Sequence, residues 1–236
     1  MPNSGALVRG LLALQKPALA VGFFETPPPG VAPWSGGAVP AGCVFWQKAW
    51  DGEAFYTQAT DHYNCAIGAY THGLPLPTER AHELEDTLGL MVQNRYLDLA
   101  QVAAIPVLES GDKVIAYAPV EAEAFEPSVV LLAVKPAQAM LLYEAALKAG
   151  AGNSLLNVLG RPGCGVLPLA VKSQTSALSF GGIGNRTFTG LPDEELYVAI
   201  PGQRWQAVVD SLRETLSANE SMGSHYRDKL TAVQPG

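Results

Sequence analysis

Apolar residues recur along the chain at two spacings, and the two spacings predict helices and strands in alternation. Spacing of three or four residues predicts helices, whereas short apolar runs rich in branched side chains predict strands. The predicted helices cover residues 1–16, 43–50, 64–70, 78–94, 137–148, 164–173 and about 205–216. The predicted strands cover residues 18–24, 55–59, 105–108, 113–118, 129–134, 177–180 and 196–200. Such alternation indicates an α/β fold with a mixed sheet flanked by helices.

The clearest unit lies between residues 128 and 150. The run 129–134 is continuously apolar and rich in Val, as in a strand buried on both faces. Pro136 suits the first turn of the helix that follows, and Lys148 and Gly150 suit its end. We interpret this unit as half of a βαβ unit. Earlier in the chain, Thr78 is the predicted N-cap of the helix over residues 78–94.

One long segment is predicted to be a loop. Residues 26–42 contain five Pro and four Gly, which excludes a helix or a central strand. Loops of this length in compact domains usually have a function, such as covering a site.

Length and composition favour one compact domain over residues 1–236. Of its residues, 48% are apolar and 16% are charged, so a substantial core is expected. The net charge of −7 argues against binding to duplex nucleic acid. The apolar run at residues 10–14 is too short for a signal peptide or a membrane span. We therefore predict a cytoplasmic protein with reduced thiols, and the sequence sets no oligomeric state.

The chemistry-bearing residues concentrate in residues 61–73. This segment holds Cys65, His62 and His72, although the whole chain has 3 Cys and 4 His. A weaker echo follows at residues 181–190, and both segments lead into a Gly-Leu-Pro sequence. In each half a Cys, Cys43 or Cys164, opens a predicted helix. These matches suggest a pseudo-repeat with halves of about 17–120 and 128–217. Such a repeat would place the two thiols at one cleft, and Gly181 would occupy the position equivalent to Cys65. The alternative is that glycine-rich turns match by chance.

The three thiols are candidate metal ligands, because thiolates suit zinc and iron–sulfur clusters. Cys43, Cys65 and Cys164 would hold a [4Fe–4S] cluster with one iron open to substrate, or to His62 or His72. Zinc would be held by the same thiols, or by Cys65 with the two His. The wide spacing lacks Cys-x-x-Cys pairs, so Cys43 and Cys164 as ordinary buried residues are the alternative.

A metal-free thiol site is a further interpretation. A helix N-terminus lowers the pKa of a thiol, and Cys43 and Cys164 are both predicted to open helices. His62 precedes Cys65 by three residues, so the two would share a helical face and form a nucleophile–base pair. Capping of the following turn by Asp61 and His62 is the competing interpretation.

The glycine-rich segment at residues 181–186 has the composition of an anion-binding turn. Gly182, Gly184 and Asn185 would expose N–H groups, and Arg186 would bind a carboxylate or phosphate. The segment matches neither the dinucleotide fingerprint nor the phosphate loop. A tight turn with Arg186 paired to Asp193 or Glu194 is the competing interpretation.

The chain resembles the family called domain of unknown function 169, and the resemblance covers most of its length. The matching pieces are 16–21, Cys43, 62–68, 130–132, 136–140, 163–164, 184–186, 193–195 and 200–201. The resemblance supports the predicted α/β architecture, but no reaction is established for the family. It also implies a further Cys near the turn before Asn185, where this chain has Gly181 and Gly182.

The sequence thus predicts a site between the two halves. We expect a metal- or cluster-binding protein acting on a small anionic ligand. A metal-free ligand-binding or scaffold protein and a thiol enzyme using Cys65 with His62 are the alternatives.

Overall fold

The computed structural model describes residues 3–111, 113–152 and 157–232. The strands are β1 Leu19–Phe24, β2 Ala32–Pro33, β3 Phe55–Thr57, β4 Val114–Pro119, β5 Val129–Val134, β6 Asn157–Leu159, β7 Ala177–Ser179 and β8 Leu196–Pro201. The helices are α1 Ser4–Leu12, α2 Val44–Trp50, α3 Ala66–Thr71, α4 Thr78–Gln93, α5 Leu99–Ala103, α6 Pro136–Lys148, α7 Val166–Ser173, α8 Ile183–Thr189 and α9 Gly202–Ala232. Short 3₁₀ turns occupy Ala59–His62, Val120–Ala122 and Gly163–Gly165. The predicted α/β class with a mixed sheet is confirmed.

The described strands form one sheet in the order β2-β3-β4-β1-β5-β8-β7-β6. From its centre outward, each half has the same pairing: two antiparallel neighbours and then a parallel edge strand. Helix α2 connects the parallel strands β2 and β3, and α7 connects the parallel strands β6 and β7. These two segments are therefore βαβ units whose strands are neighbours in the sheet. The predicted half-unit β5–α6 instead leads to β6, which is separated from β5 in the sheet by β8 and β7.

The two halves also share their register. Ala20 faces Val130 where β1 and β5 meet, and this pair marks a pseudo-two-fold axis. The corresponding pairs are Leu19–Pro119 with Val129–Pro201, Phe55–Tyr117 with Ala177–Ala199, and Ala32–Phe55 with Asn157–Ala177. This topology is what a duplication would produce, and the pseudo-repeat itself stays a prediction.

The sheet separates two hydrophobic cores because its central strands are apolar on both faces. In β5, Val129 and Leu131 face one core with α2 and α7, whereas Val130 and Leu132 face the other with α1, α6 and α9. All residues of β5 are buried, as the sequence predicts. The core beside α2 and α7 also holds the three Cys or packs against them.

Residues 105–108 do not form the predicted strand. Ile105 and Leu108 are buried in an extended segment that joins α3 by a hydrogen bond from Leu108 N to Thr71 O. The apolar pattern there reflects the burial of these side chains and not pairing with another strand. Just before it, α5 begins with a capping box between Asp98 and Gln101, a local signal that the sequence carried.

Two smaller features complete the fold. Thr78 is the first residue of α4 and Pro77 is its N-cap, so the predicted cap is wrong by one residue. The proline-rich segment 26–42 lacks helix and contributes only the edge strand β2, as expected. Of the helices in the described segments, none has the length and apolar character required to cross a membrane.

Candidate functional site

A cavity of about 180 Å³ lies on the α2–α7 side of the sheet and is lined by residues of both halves. Cys43, Cys164 and His72 are buried, whereas Arg161 and Phe188 are exposed, so the cavity runs from a thiol end to an open end. Its remaining side chains are mainly apolar: Ile67, Leu88, Met91, Leu97 and Ile105. The site therefore lies between the halves.

Each thiol comes from a different connection of the fold. Cys43 is the N-cap of α2 and Cys65 is the N-cap of α3, and neither side chain makes a capping hydrogen bond. Cys164 lies in the 3₁₀ turn before α7, with Sγ 3.6 Å from Thr71 Oγ1. All three thiols are free and line the same cavity. The fold thus brings together residues that are far apart in sequence.

Burial controls the acidity of the two deeper thiols. Desolvation raises the pKa of Cys43 far above its ordinary value, and the Cys164 and Cys65 thiols raise it further. Desolvation, followed by the Cys65 thiol, raises the pKa of Cys164 to about 12. The predicted lowering by a helix N-terminus is therefore wrong for these two residues, because burial outweighs the helix dipole.

His62 is held beside the cavity and does not line it. Its Nε2 lies 2.8 Å from Thr57 Oγ1, and that hydroxyl donates its proton to Ile115 O. His62 Nε2–H is therefore the donor, which leaves Nδ1 as an acceptor without a partner in the described structure. Nδ1 faces Gly42, where a Cβ would lie 3.1 Å away. Desolvation, followed by His72, lowers the pKa of His62 to about 3.

The expected pair of His62 and Cys65 is not on one helix. The 3₁₀ turn ends at His62 and α3 begins at Ala66, so Cys65 lies between two helical segments. Cys65 binds His62 through its backbone, from Cys65 N to His62 O at 2.8 Å. The histidine that shares the cavity with Cys65 is His72.

His72 is a buried imidazole without a hydrogen-bond partner on either ring nitrogen in the described structure. Only 1% of its surface is exposed. Desolvation, followed by Lys113, lowers its pKa to about 4, so the ring is neutral and one nitrogen carries a free lone pair. An unsatisfied buried polar group costs about 1–3 kcal/mol. Such a residue on a cavity wall points to a ligand.

The predicted anion-binding turn is a helix from Ile183 onward. Gly182 is the N-cap of α8, and Gly182, Gly184 and Asn185 line the cavity. Arg186 does not line it, because its guanidinium donates to the carbonyls of Phe180, Leu191, Pro192 and Glu195. Asp193 Oδ1 lies 3.8 Å from Nη1 of Arg186, as expected if Arg186 pairs with Asp193 in a tight turn. The anion contact at Arg186 stays a prediction.

The arrangement of the possible metal ligands bears on the two metal centres expected from the sequence. Within residues 3–111, 113–152 and 157–232, no three His, Cys, Asp or Glu side chains are arranged to hold a single metal ion. The three thiols nevertheless line one cavity, and the Cys65 thiol contributes to raising the pKa of Cys43 and of Cys164. Whether these thiols hold a cluster or zinc stays a prediction.

Of the described cavity residues that the sequence did not predict, two are polar. Tyr96 and Arg161 line the cavity, and the Arg161 guanidinium stacks 3.8 Å over the Tyr96 ring. Tyr96 OH also accepts a hydrogen bond from Ile183 N at 3.2 Å. Neither residue belongs to a motif, and only the fold places them together.

Fold and site define an α/β protein with a thiol-lined cavity between two topologically similar halves. The chain belongs to the DUF169 family, described as an uncharacterised ArCR, whose family model matches residues 8–211. The resemblance noted from the sequence is thereby confirmed. No curated protein and no solved structure matches the chain.

Proposed function

We propose that this protein binds an iron–sulfur cluster through Cys43, Cys65 and Cys164. The observation that carries the proposal is the convergence of all three thiols on one cavity, beside a buried His72 that lacks a hydrogen-bond partner. Thiolates are the usual cluster ligands, and imidazole is an accepted substitute. Ligation would also relieve the cost of burying these groups, because a metal centre replaces the missing partners.

Three thiolates leave one iron of a [4Fe–4S] cluster for another ligand. Bound there, the cluster would supply a Lewis acid or an electron carrier at the inner end of the cavity. Cys43, Cys65 and Cys164 hold it, and neutral His72 offers a nitrogen for the fourth position or for hydrogen bonding to a substrate. The apolar walls exclude water from that end. The cytoplasm, where thiols stay reduced, is the proposed location.

Oxygen-free purification tests the proposal. We expect brown protein with near-stoichiometric iron and sulfide, and we expect Cys65→Ala to lose both. His82→Ala is the control, because His82 is an exposed histidine on α4 that does not line the cavity. The absence of iron and sulfide after anaerobic reconstitution of the wild-type protein would refute the proposal.

Metal-free ligand binding is the second candidate, favoured by the apolar walls of the cavity. Under this alternative, Cys65→Ala leaves ligand binding intact and no iron is found. The thiol enzyme with Cys65 and His62 has less support, because Nε2 of His62 is bonded to Thr57 and the ring does not line the cavity. Slow alkylation of all three thiols in the folded protein would exclude it.

A further inference from the structure

The open end of the cavity carries a single charged group. Arg161 is the only charged residue among the described residues that line the cavity, although the chain carries 22 acidic residues and a net charge of −7. A lone guanidinium in an otherwise uncharged wall favours an anion over a cation.

Arg161 is held in place without being neutralised. Its guanidinium stacks on Tyr96 and donates from Nη1 to the main-chain oxygen of that residue. Throughout the described segments, no Asp or Glu forms an ion pair with Arg161. A fixed, unpaired guanidinium with further N–H groups is suited to bind a carboxylate with two hydrogen bonds.

The apolar walls of the cavity restrict the rest of the ligand. They are formed by Leu88, Met91, Leu97 and Ile105, and by Phe188, which is 39% exposed. Without a cluster, the volume of about 180 Å³ slightly exceeds a cavity of about 150 Å³ that holds benzene. One cation balances one negative charge, so the fitting ligand is a monoanion with a single ring or a short apolar chain.

We propose that the cavity binds a small apolar carboxylate, with its carboxylate on Arg161 and its apolar body directed toward the thiols. This inference rests on the proposed function in taking the cavity as the functional site, and it names the class of substrate. It also replaces Arg186 by Arg161 as the anion contact. His72, which is buried and without a partner at the inner end, gives independent support for a ligand in this cavity.

Calorimetric titration with benzoate tests the inference on anaerobically reconstituted and on metal-free protein. Benzoate is expected to bind at least about tenfold more tightly than benzamide, because only the acid pairs with the guanidinium. Arg161→Gln should reduce the affinity for benzoate to that for benzamide. Arg204→Gln, at an exposed arginine outside the cavity, is the matched control and should change nothing.

Equal binding of benzoate and benzamide, or unchanged binding in Arg161→Gln, would overturn the inference. Tighter binding of phenyl phosphate than of benzoate would overturn the carboxylate class. Iron and sulfide content is measured on the same samples. Metal-free protein that does not bind benzoate rejects this inference alone, whereas Arg161-dependent benzoate binding in protein that takes up no iron on reconstitution rejects the cluster alone.

Discussion

The two halves of the molecule share one backbone plan and differ in chemistry at equivalent positions. Cys65 is the N-cap of α3 and Gly182 is the N-cap of α8, and a glycine with positive φ, Gly73 or Gly190, follows each helix within two residues. The residue before that glycine is His72 in one half and Thr189 in the other. Thr189 Oγ1 bonds to Tyr197 OH at 2.9 Å and to Asn185 O at 2.6 Å, whereas His72 has no partner in the described structure.

This difference lies in whether the polar side chain before the glycine has a hydrogen-bond partner. The C-terminal half satisfies its polar group internally, as stable proteins generally do. The N-terminal half keeps an unsatisfied imidazole and a thiol at the same cavity. Alignment by helix caps pairs Cys65 with Gly182, whereas the sequence comparison pairs Cys65 with Gly181.

The largest expected effect distinguishes the two terminal glycines. A Cβ at Gly73 would lie 2.4 Å from Glu109 O, whereas at Gly190 nothing lies within 4 Å. Gly73→Ala should lower the free energy of unfolding by about 3 kcal/mol, from a strained φ and a backbone clash. Gly190→Ala should lose only about 1 kcal/mol. Urea unfolding measures both, and equal losses would contradict the difference in packing.

The next test compares His72 and Thr189, which precede the terminal glycines of the two halves, in metal-free protein. His72→Leu removes an unsatisfied buried imidazole and should raise the free energy of unfolding by about 1 kcal/mol. Thr189→Val removes a hydrogen bond to Tyr197 and should lower it by about 1–2 kcal/mol. Chemical denaturation again measures the change. A loss of stability in His72→Leu would show that His72 has a structural role and would weaken its assignment to the site.

The smallest expected effect comes from making the halves more alike. A Cβ at Gly182 would have Tyr96 OH as its nearest neighbour at 3.2 Å, so Gly182→Cys should change stability by less than about 1 kcal/mol. Thiol titration of the unfolded variant should give one additional thiol. In the reconstituted protein the new thiol should change the visible spectrum of the bound iron, because it faces the same cavity. An unchanged spectrum would place the metal elsewhere.

Local patterns predicted most of the elements and the convergence of two segments on one site. Val129–Val134 and the helix after Pro136 follow from apolar runs and end signals that act over a few residues. Contacts between distant segments determine three features of the site. They are the hydrogen bonding of His62, the burial of Cys43 and Cys164, and the position of Arg161. Thr57 binds His62, and Tyr96 holds Arg161, through pairings that no local pattern encodes. For the same reason the glycines before Asn185 suggested a turn, although the fold places a helix there.

The most direct test of the central claim is an anomalous difference map at the iron edge from an anaerobically grown crystal. We expect a strong peak inside the cavity, within bonding distance of the sulfur atoms of Cys43, Cys65 and Cys164. A map of protein reconstituted with iron and sulfide that shows no peak in the cavity, or a peak remote from these three sulfur atoms, would contradict it.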